Sequence, residues 1–336
     1  MVKLSVLDYA LIDEGKDAQK ALQDSVTLAK LADRLGFKRI WFTEHHNVPA
    51  FACSSPELMM MHVLSQTSQI RVGSGGVMLP HYRPYKIAEH FRMMAALYPN
   101  RIDLGIGNNP GTTMVKQALD GIDPTYDSYD ESISLLRDYL TIKDKPSAHT
   151  LGVQPHIGHF PEMWLLSSSP SSAKIAAEQG IGLSVGTFLL PDINAIHAAK
   201  DNIDIYKKHF QVSTIKMDAK VMASVFVIVA DNEAEVAALQ HALDVWLLGK
   251  LQFAEFEHFP SVDTAQKYKL NDRDKEMIQA HQAHQARIIA GTQEQVKAQL
   301  DDFIATFEVD EVLVAPLIPG IEQRCKTLKL LAEIYL

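Results

Sequence analysis

Arg39-Ile-Trp-Phe-Thr-Glu-His-His46, followed by Asn47-Val48-Pro49, is the stretch on which the reading of this chain turns. Residues 39–43 have strand-forming character, with Ile40 and Phe42 on one parity and Trp41 on the other. A strand that is apolar on both sides is buried on both sides, as in a parallel sheet. Glu44, His45 and His46 follow at once, and Pro49 ends regular structure. In parallel α/β folds the carboxyl ends of the strands carry the chemistry. The run therefore stands where a reaction can take place. The plainer reading is that Glu44 and His45 satisfy each other and a loop backbone.

Working outward, residues 4–7 read as a first strand. An amphipathic helix at Ala18–Leu35 is closed by Gly36, the residue expected just past a helix end. After the 39–43 strand, Pro56 opens a Met-rich helix over 57–67. A third strand at 70–73 ends in Ser74-Gly75-Gly76, with 77–80 continuing beyond it, and Pro84 starts a helix to Leu97. A fourth strand, 101–107, turns at Asn108-Asn-Pro-Gly111. Beyond a helix at 128–142 and a surface excursion at 143–161, strands are expected at Glu162–Leu166, 181–185, 220–229 and Glu311–Ala315. The intervening helices fall at 171–179, 192–210, 232–248, 276–290, Gln293–Phe307 and 320–334. Regular alternation of strand and helix implies a parallel sheet. Eight units point to an α/β protein with a closed (β/α)8 TIM barrel, one domain over 1–336, though an open doubly wound sheet also fits the pattern. Residues 251–275 are irregular and carry Phe253, Phe256, Phe259 and Tyr268. A long aromatic connection inside a compact domain is usually functional or mobile.

Composition bounds the function. The chain has 336 residues, 47% hydrophobic, two cysteines and a net charge of −9. An acidic balance without a Lys/Arg-rich run argues against nucleic-acid binding, which needs a cationic face. The amino-terminal apolar run is too short for a signal peptide, and no segment reaches the length of a membrane span. A cytoplasmic protein with reduced cysteines is expected.

Other motifs are weaker. Gly105-Ile-Gly107-Asn-Asn-Pro-Gly111 straddles the end of the fourth strand with its last glycine one residue late and a proline at the helix entry, so it fits a tight turn better than a dinucleotide fingerprint. His45 and His46 are adjacent and point to opposite faces of a strand, poor geometry for one metal. His281 and His284, three apart on a helix, fit a solvated face, and no metal is expected. In Ser167-Ser-Ser-Pro-Ser-Ser172, Ser169 falls at an N-cap and Pro170 at the first helical position. Free N–H groups there, with the helix dipole and the hydroxyls, suit an anion. An N-cap without ligand is the alternative. Cys53 reads as a packed thiol.

Four ordered segments carry a resemblance: Phe42-Thr-Glu-His-His-Asn-Val-Pro49, Val72-Gly-Ser-Gly-Gly-Val-Met-Leu-Pro80, Pro99-Asn-Arg-Ile-Asp-Leu-Gly105 and Leu165-Leu-Ser-Ser-Ser-Pro170. Together they resemble the bacterial-luciferase-like, flavin-dependent monooxygenases, and most the single-subunit branch with a Glu-His-His-Asn-x-Pro loop. The resemblance implies a barrel that takes reduced FMN as a diffusible co-substrate. Oxygen then forms a flavin C4a-hydroperoxide that oxidises a small organic substrate, an aldehyde being the family's example. It implies a catalytic role for His45, with Glu44 beside it. Ser74 and Gly75 correspond to the strand end that lies under the flavin ring, where luciferases have a non-prolyl cis peptide. Ser168, Ser169 and Ser172 correspond to phosphate-binding positions, and 251–275 to a mobile lid. With no nicotinamide site evident, a separate flavin reductase is implied as partner. A deazaflavin coenzyme or a non-catalytic ligand-binding barrel are the alternatives.

One position departs from that branch, which usually reads Gly-Arg-Ala-Pro-Gly after the fourth strand. Asn108 stands in place of the arginine. Asparagine keeps hydrogen bonding but drops the charge, so weaker FMN binding is expected. Finally, the helix over 56–67 carries Leu58, Met59, Met60, Met61, Val63 and Leu64. It is apolar on too many sides for a surface helix, which predicts a homodimer built on it and on 85–97.

Overall fold

The computed structural model describes residues 2–119, 128–190, 193–282 and 287–336. The first half alternates regularly: β1 (Lys3–Asp8), α1 (Ala18–Leu35), β2 (Arg39–Phe42), α2 (Pro56–Leu64), β3 (Arg71–Met78), α3 (Pro84–Leu97) and β4 (Ile102–Gly107). Two helices follow, α4 (Thr113–Leu119) and α5 (Tyr129–Thr141), and then β5 (Glu162–Leu166), α6 (Pro170–Glu178), β6 (Gly182–Gly186) and α7 (Ile193–His209). The remainder is β7 (Val221–Val229), α8 (Glu233–Leu247), α9 (Val262–Lys267), α10 (Asp272–Gln282), β8 (Ile288–Gly291), α11 (Gln293–Phe307), β9 (Glu311–Ala315) and α12 (Ile321–Tyr335). Local signals set the ends. The Asp17 carboxylate accepts from Lys20 N at the start of α1, and Gly36, at φ +87°, closes it. Ser128 and Glu131 form a capping box on α5.

All pairings between these strands are parallel, and the sheet closes. β1 pairs β2 on one side (Val6 with Ile40) and β9 on the other (Val6 with Val314). β6 joins β7 through Leu183 and Val221, and β7 joins β9 through Met222 and Glu311. The ring β1-β2-β3-β4-β5-β6-β7-β9 is thus a closed eight-stranded barrel, and the open doubly wound alternative is excluded. β8 is a ninth strand, paired along the far half of β7 from Phe226–Ile288 to Val229–Gly291.

That strand corrects the sequence reading, which placed 288–290 in a helix over 276–290. Ile288-Ile289 is β-branched, and Thr292 with Gln295 forms a capping box directly after Gly291. A short apolar run gives no period to separate strand from helix, so that punctuation was the available signal. The irregular 251–275 stretch likewise contains α9 and the start of α10. The third strand runs unbroken from Arg71 to Met78, with a register shift between Ser74 and Val77. Position 192, expected in a helix, lies outside the described residues.

Strand alternation divides the core. Leu4, Val6, Ile40, Phe42, Val72 and Leu104 face outward and pack under the helices with Leu28, Met60 and Phe91. Leu7, Trp41, Trp164, Met222 and Leu313 fill the interior. Trp41 fits because Gly73 has no side chain: a Cβ there would lie 2.5 Å from Trp41 Nε1 and 2.7 Å from Asp103 Cβ.

Below the tryptophans the amino-terminal end of the barrel is floored by buried ions. Arg39 donates to Glu311 (2.7 and 3.1 Å) and to Asp103 (2.8 Å), and Trp41 Nε1 donates to Asp103 at 3.1 Å. Arg71 pairs with Asp103 and Glu162, and Lys216 with Glu162 at 3.3 Å. The guanidinium of Arg39 and the ammonium of Lys216 lie 5.0 and 4.3 Å from the Trp164 ring. The opposite rim holds the carboxyl ends of the strands. Among the described residues no helix is long and apolar enough to cross a membrane.

Candidate active site

Consecutive strands β2, β3, β4 and β5 bring their carboxyl ends to one side of the barrel mouth. His45 stands two residues beyond Thr43 on the interior parity of β2. Its backbone N–H donates to Cys53 O at 3.1 Å. Its ring stacks on Tyr9 (centroids 5.3 Å apart, planes at 24°) and meets Phe51 edge-on at 4.8 Å. Nδ1 lies 2.9 Å from Thr43 Oγ1. Burial, with a small contribution from His46, pushes the imidazole down to about 4. The ring is therefore neutral at ordinary pH, as a proton acceptor must be.

Glu44 occupies the other face. Its carboxylate accepts from Met78 N (2.9 Å) and Tyr82 Oη (2.6 Å) and pairs with His46 Nε2 (2.7 Å). Among the described residues no hydrogen bond joins Glu44 to His45; the plainer reading, in which these two satisfy each other, gives way to a pairing of Glu44 with His46. The strand geometry that separates the two histidines gives each a different partner. Glu44 thus braces the end of β3 against the β2 loop.

At the end of β3, Ser74 is fully buried and its hydroxyl is engaged by β4, donating to Gly105 O at 2.8 Å and accepting from Gly105 N at 3.1 Å. The Gly75–Gly76 peptide is cis, one bond beyond the Ser74-Gly75 position to which the resemblance pointed. Asn108 is exposed at the end of β4. The turn behind it is held by Asn109 Oδ1 accepting from Gly111 N at 2.9 Å and by a 3.0 Å contact of His81 Nε2 with Pro110 O.

At the end of β5 the serines form a connected group. Ser169 is the N-cap of α6, accepting from Ser172 N at 3.3 Å. Its hydroxyl also contacts the hydroxyls of Ser172 (3.0 Å), Ser171 (3.2 Å) and Ser167 (3.3 Å). Ser168 is half-buried, and its carbonyl accepts from Asn202 Nδ2 at 2.6 Å. Ser168, Ser169 and Ser172 are thus gathered at one helix N-terminus, where N–H groups and dipole favour an anion.

The wall opposite is aromatic. Phe51 packs on Trp246 at 5.4 Å, and Trp246 touches Phe253, Phe256 and Phe259 at 5.5, 6.3 and 5.2 Å. Phe188 stacks on Phe226 at 4.7 Å. The 251–275 stretch is anchored at both ends, with Lys250 Nζ donating to Tyr268 Oη and to Asp274 Oδ2, each at 2.8 Å. Phe259 N donates to Ile12 O at 2.8 Å, and Glu14 accepts from Ser261 N (3.1 Å) and Thr264 Oγ1 (2.7 Å). Leu251-Gln252-Phe253 holds three consecutive left-handed residues at φ +48°, +57° and +66°.

The buried Cys53 thiol is pushed up to about 12 by burial, with Asp8, Glu44 and Glu57 nearby, so it is no nucleophile at neutral pH. Among the described residues no group of three or more His, Cys, Asp or Glu is placed to hold a metal; His284 lies outside them. Thr43, Tyr9 and Tyr82 were missed in the sequence, although Thr43 sits two positions before His45 and therefore on its face.

The luciferase-like monooxygenase family model matches residues 2–310. The chain is 30% identical over 344 residues to the N-acetyl-S-alkylcysteine monooxygenase of Bacillus subtilis (strain 168), covering all of this chain and 99% of that protein. Its fold superposes on apo-MsnO8 with a TM-score of 0.85 at 32% identity, over 99% of this chain and 97% of the other. The FMN complex of the oxygenating constituent of 3,6-diketocamphane monooxygenase from Pseudomonas putida shares the fold (TM-score 0.69, 15% identity, 99% and 97% coverage). A family model spanning nearly the whole chain, laid over a closed barrel with its histidine and serines at the mouth, leads to one conclusion: the chain belongs to the luciferase-like monooxygenase family and is an oxidoreductase.

Proposed function

We propose that this protein is a monooxygenase that takes reduced FMN, supplied by a separate flavin reductase, and O2, and oxidises a small organic substrate at the barrel mouth. The observation that carries the reading is the joint placement of neutral His45 and the serine-capped N-terminus of α6 on one rim. The donor set fits the cofactor. A phosphate there would receive the hydroxyls of Ser168, Ser169 and Ser172 and the free N–H groups of α6. The backbone at Gly75 would lie against the ring, and Asn108 would hydrogen-bond the cofactor without adding charge. Reduced flavin, when bound, supplies the electrons that activate oxygen. The chain's own residues do the rest: Tyr9, Phe51, Phe226 and Trp246 keep water out, and His45 accepts a proton from the substrate or its oxygen partner.

The test is turnover. Purified protein given reduced FMN, O2 and a panel of aldehydes together with an N-acetyl-S-alkylcysteine, the compound class in the relative's name, should oxidise at least one member. Replacing FMN by a reduced deazaflavin should abolish activity. Activity with the deazaflavin alone would overturn the FMN assignment.

The assembly follows from exposed apolar side chains on two neighbouring helices. Leu58 on α2 and Met93 and Leu97 on α3 are 73%, 60% and 56% exposed. A second copy covering them makes a homodimer. Light scattering at micromolar concentration should give twice the chain mass, and a monodisperse monomer would count against it.

A further inference from the structure

The ring of His45 is held in its plane by Tyr9 on one face and by the edge contact with Phe51. Neither contact distinguishes the ring from its flipped form. A half-turn about Cβ–Cγ exchanges the sides carrying Nδ1 and Cδ2 and leaves the stack unchanged, because that torsion is close to two-fold. What separates the two forms is Thr43 Oγ1, 2.9 Å from Nδ1. In the flipped ring a C–H would face the hydroxyl.

Thr43 is suited to hold that place. It is 3% exposed, its backbone N–H donates to Asp8 O at 3.1 Å, and its branched side chain has little rotamer freedom. Among the described residues its hydroxyl has no other hydrogen-bond partner. A hydroxyl can accept from Nδ1–H or donate to bare Nδ1, so it serves the ring in either neutral tautomer. A carboxylate at this place would instead favour the imidazolium. With Nδ1 engaged, Nε2 is the nitrogen left for chemistry.

We infer that Thr43 is the positioning residue of His45: its hydroxyl fixes which side of the imidazole carries Nδ1 and so presents Nε2 to whatever binds in the barrel mouth. This rests on the proposed role of His45 for its kinetic consequence, though not for the ring orientation itself.

Two variants and two readouts test it. Thr43→Val keeps the shape and removes the hydrogen bond, and Thr43→Ser keeps the bond. A neutral hydrogen bond of ordinary strength corresponds to about a tenfold bias. In Thr43→Val the correctly turned fraction of His45 should fall from about nine tenths to about one half, so kcat should fall about twofold with KM for reduced flavin and substrate unchanged, and Thr43→Ser should match the parent. Independently of turnover, nitrogen-15 spectra of histidine-labelled protein, assigned with His45→Ala, should show His45 ring shifts displaced in Thr43→Val and restored in Thr43→Ser. Unchanged His45 shifts in Thr43→Val would overturn the proposal. So would a loss that serine fails to repair, which would make Thr43 a packing residue. Normal turnover of His45→Ala would sink the catalytic reading of His45 while the spectra still decide the role of Thr43.

Discussion

Arg39 and Glu311 are separated by 272 positions in the chain, and Nε and Nη2 of the arginine donate to the two oxygens of the glutamate at 2.7 and 3.1 Å. The pair ties β2 to β9 beneath the barrel and sits in a group of three cations and three carboxylates. Burial works against the Glu162 carboxylate there, yet Arg39, Lys216 and Arg71 hold it down to about 2.

Removing one member leaves buried charge uncompensated. Arg39→Met should therefore cost about 3–5 kcal/mol in a denaturant unfolding measurement. The contribution of Glu162 has a sign: its folded pKa is lowered, so its stabilisation is full above the unfolded value of about 4.5 and is lost as pH falls towards 2. An Arg39→Met protein as stable as the parent would mean that the floor is ornamental.

For His45 the shift also runs downward. Its titration, followed by NMR, should have a midpoint near 4, against an unperturbed 6.5. The linked stability is present above about 6.5 and is lost as pH falls through about 4. His45→Ala should lower turnover by about 10²–10⁴-fold while reduced flavin still binds.

Asp244 on α8 is buried; its Oδ2 accepts from Gln282 at 2.7 Å, and its Oδ1 has no partner among the described residues. Burial pushes its carboxyl up to about 6, against weaker opposing effects of Gln282, His241 and Arg287. A raised acid favours the fold below about 3.8 and loses that contribution as pH rises through about 6. Asp244→Asn mimics the neutral form. Its melting temperature should match the parent near pH 4 and exceed it at pH 8. A difference that does not depend on pH would exclude titration of Asp244 as the cause.

Asn108 offers a gain of function. A charge-assisted hydrogen bond contributes about 1.5–3 kcal/mol, and each 1.4 kcal/mol is about tenfold in affinity. Asn108→Arg should tighten FMN about tenfold or more, and riboflavin, which lacks the phosphate, by less. Equal gains would place residue 108 against the ring or ribityl chain instead, and no gain would mean that this turn does not face the flavin.

Particular residues show what the sequence could and could not convey. Ile40, Trp41 and Phe42 declare a strand buried on both sides because burial is written locally, one residue at a time. The adjacency of His45 and His46 likewise predicts opposite faces, and they have separate partners. The ionic floor was not legible. Arg39, Arg71, Glu162 and Glu311 each head a strand, where a charge reads as a solvated end, and their pairing exists only after closure. Nor was the engagement of Ser74 with Gly105 legible, since it depends on the register of β3 against β4. β8 escaped because four apolar residues carry no period.

The sealed floor makes the barrel a cul-de-sac. If the proposed site lies behind the aromatic residues, two reactants that meet there would have to queue, the deeper guest arriving first and departing last. A substrate analogue lodged at those residues should therefore trap a cofactor already inside. That order is open to measurement, because the rate at which prebound FMN escapes should fall when the analogue is added. Traffic in this molecule would then be governed from the end of the barrel opposite the proposed site.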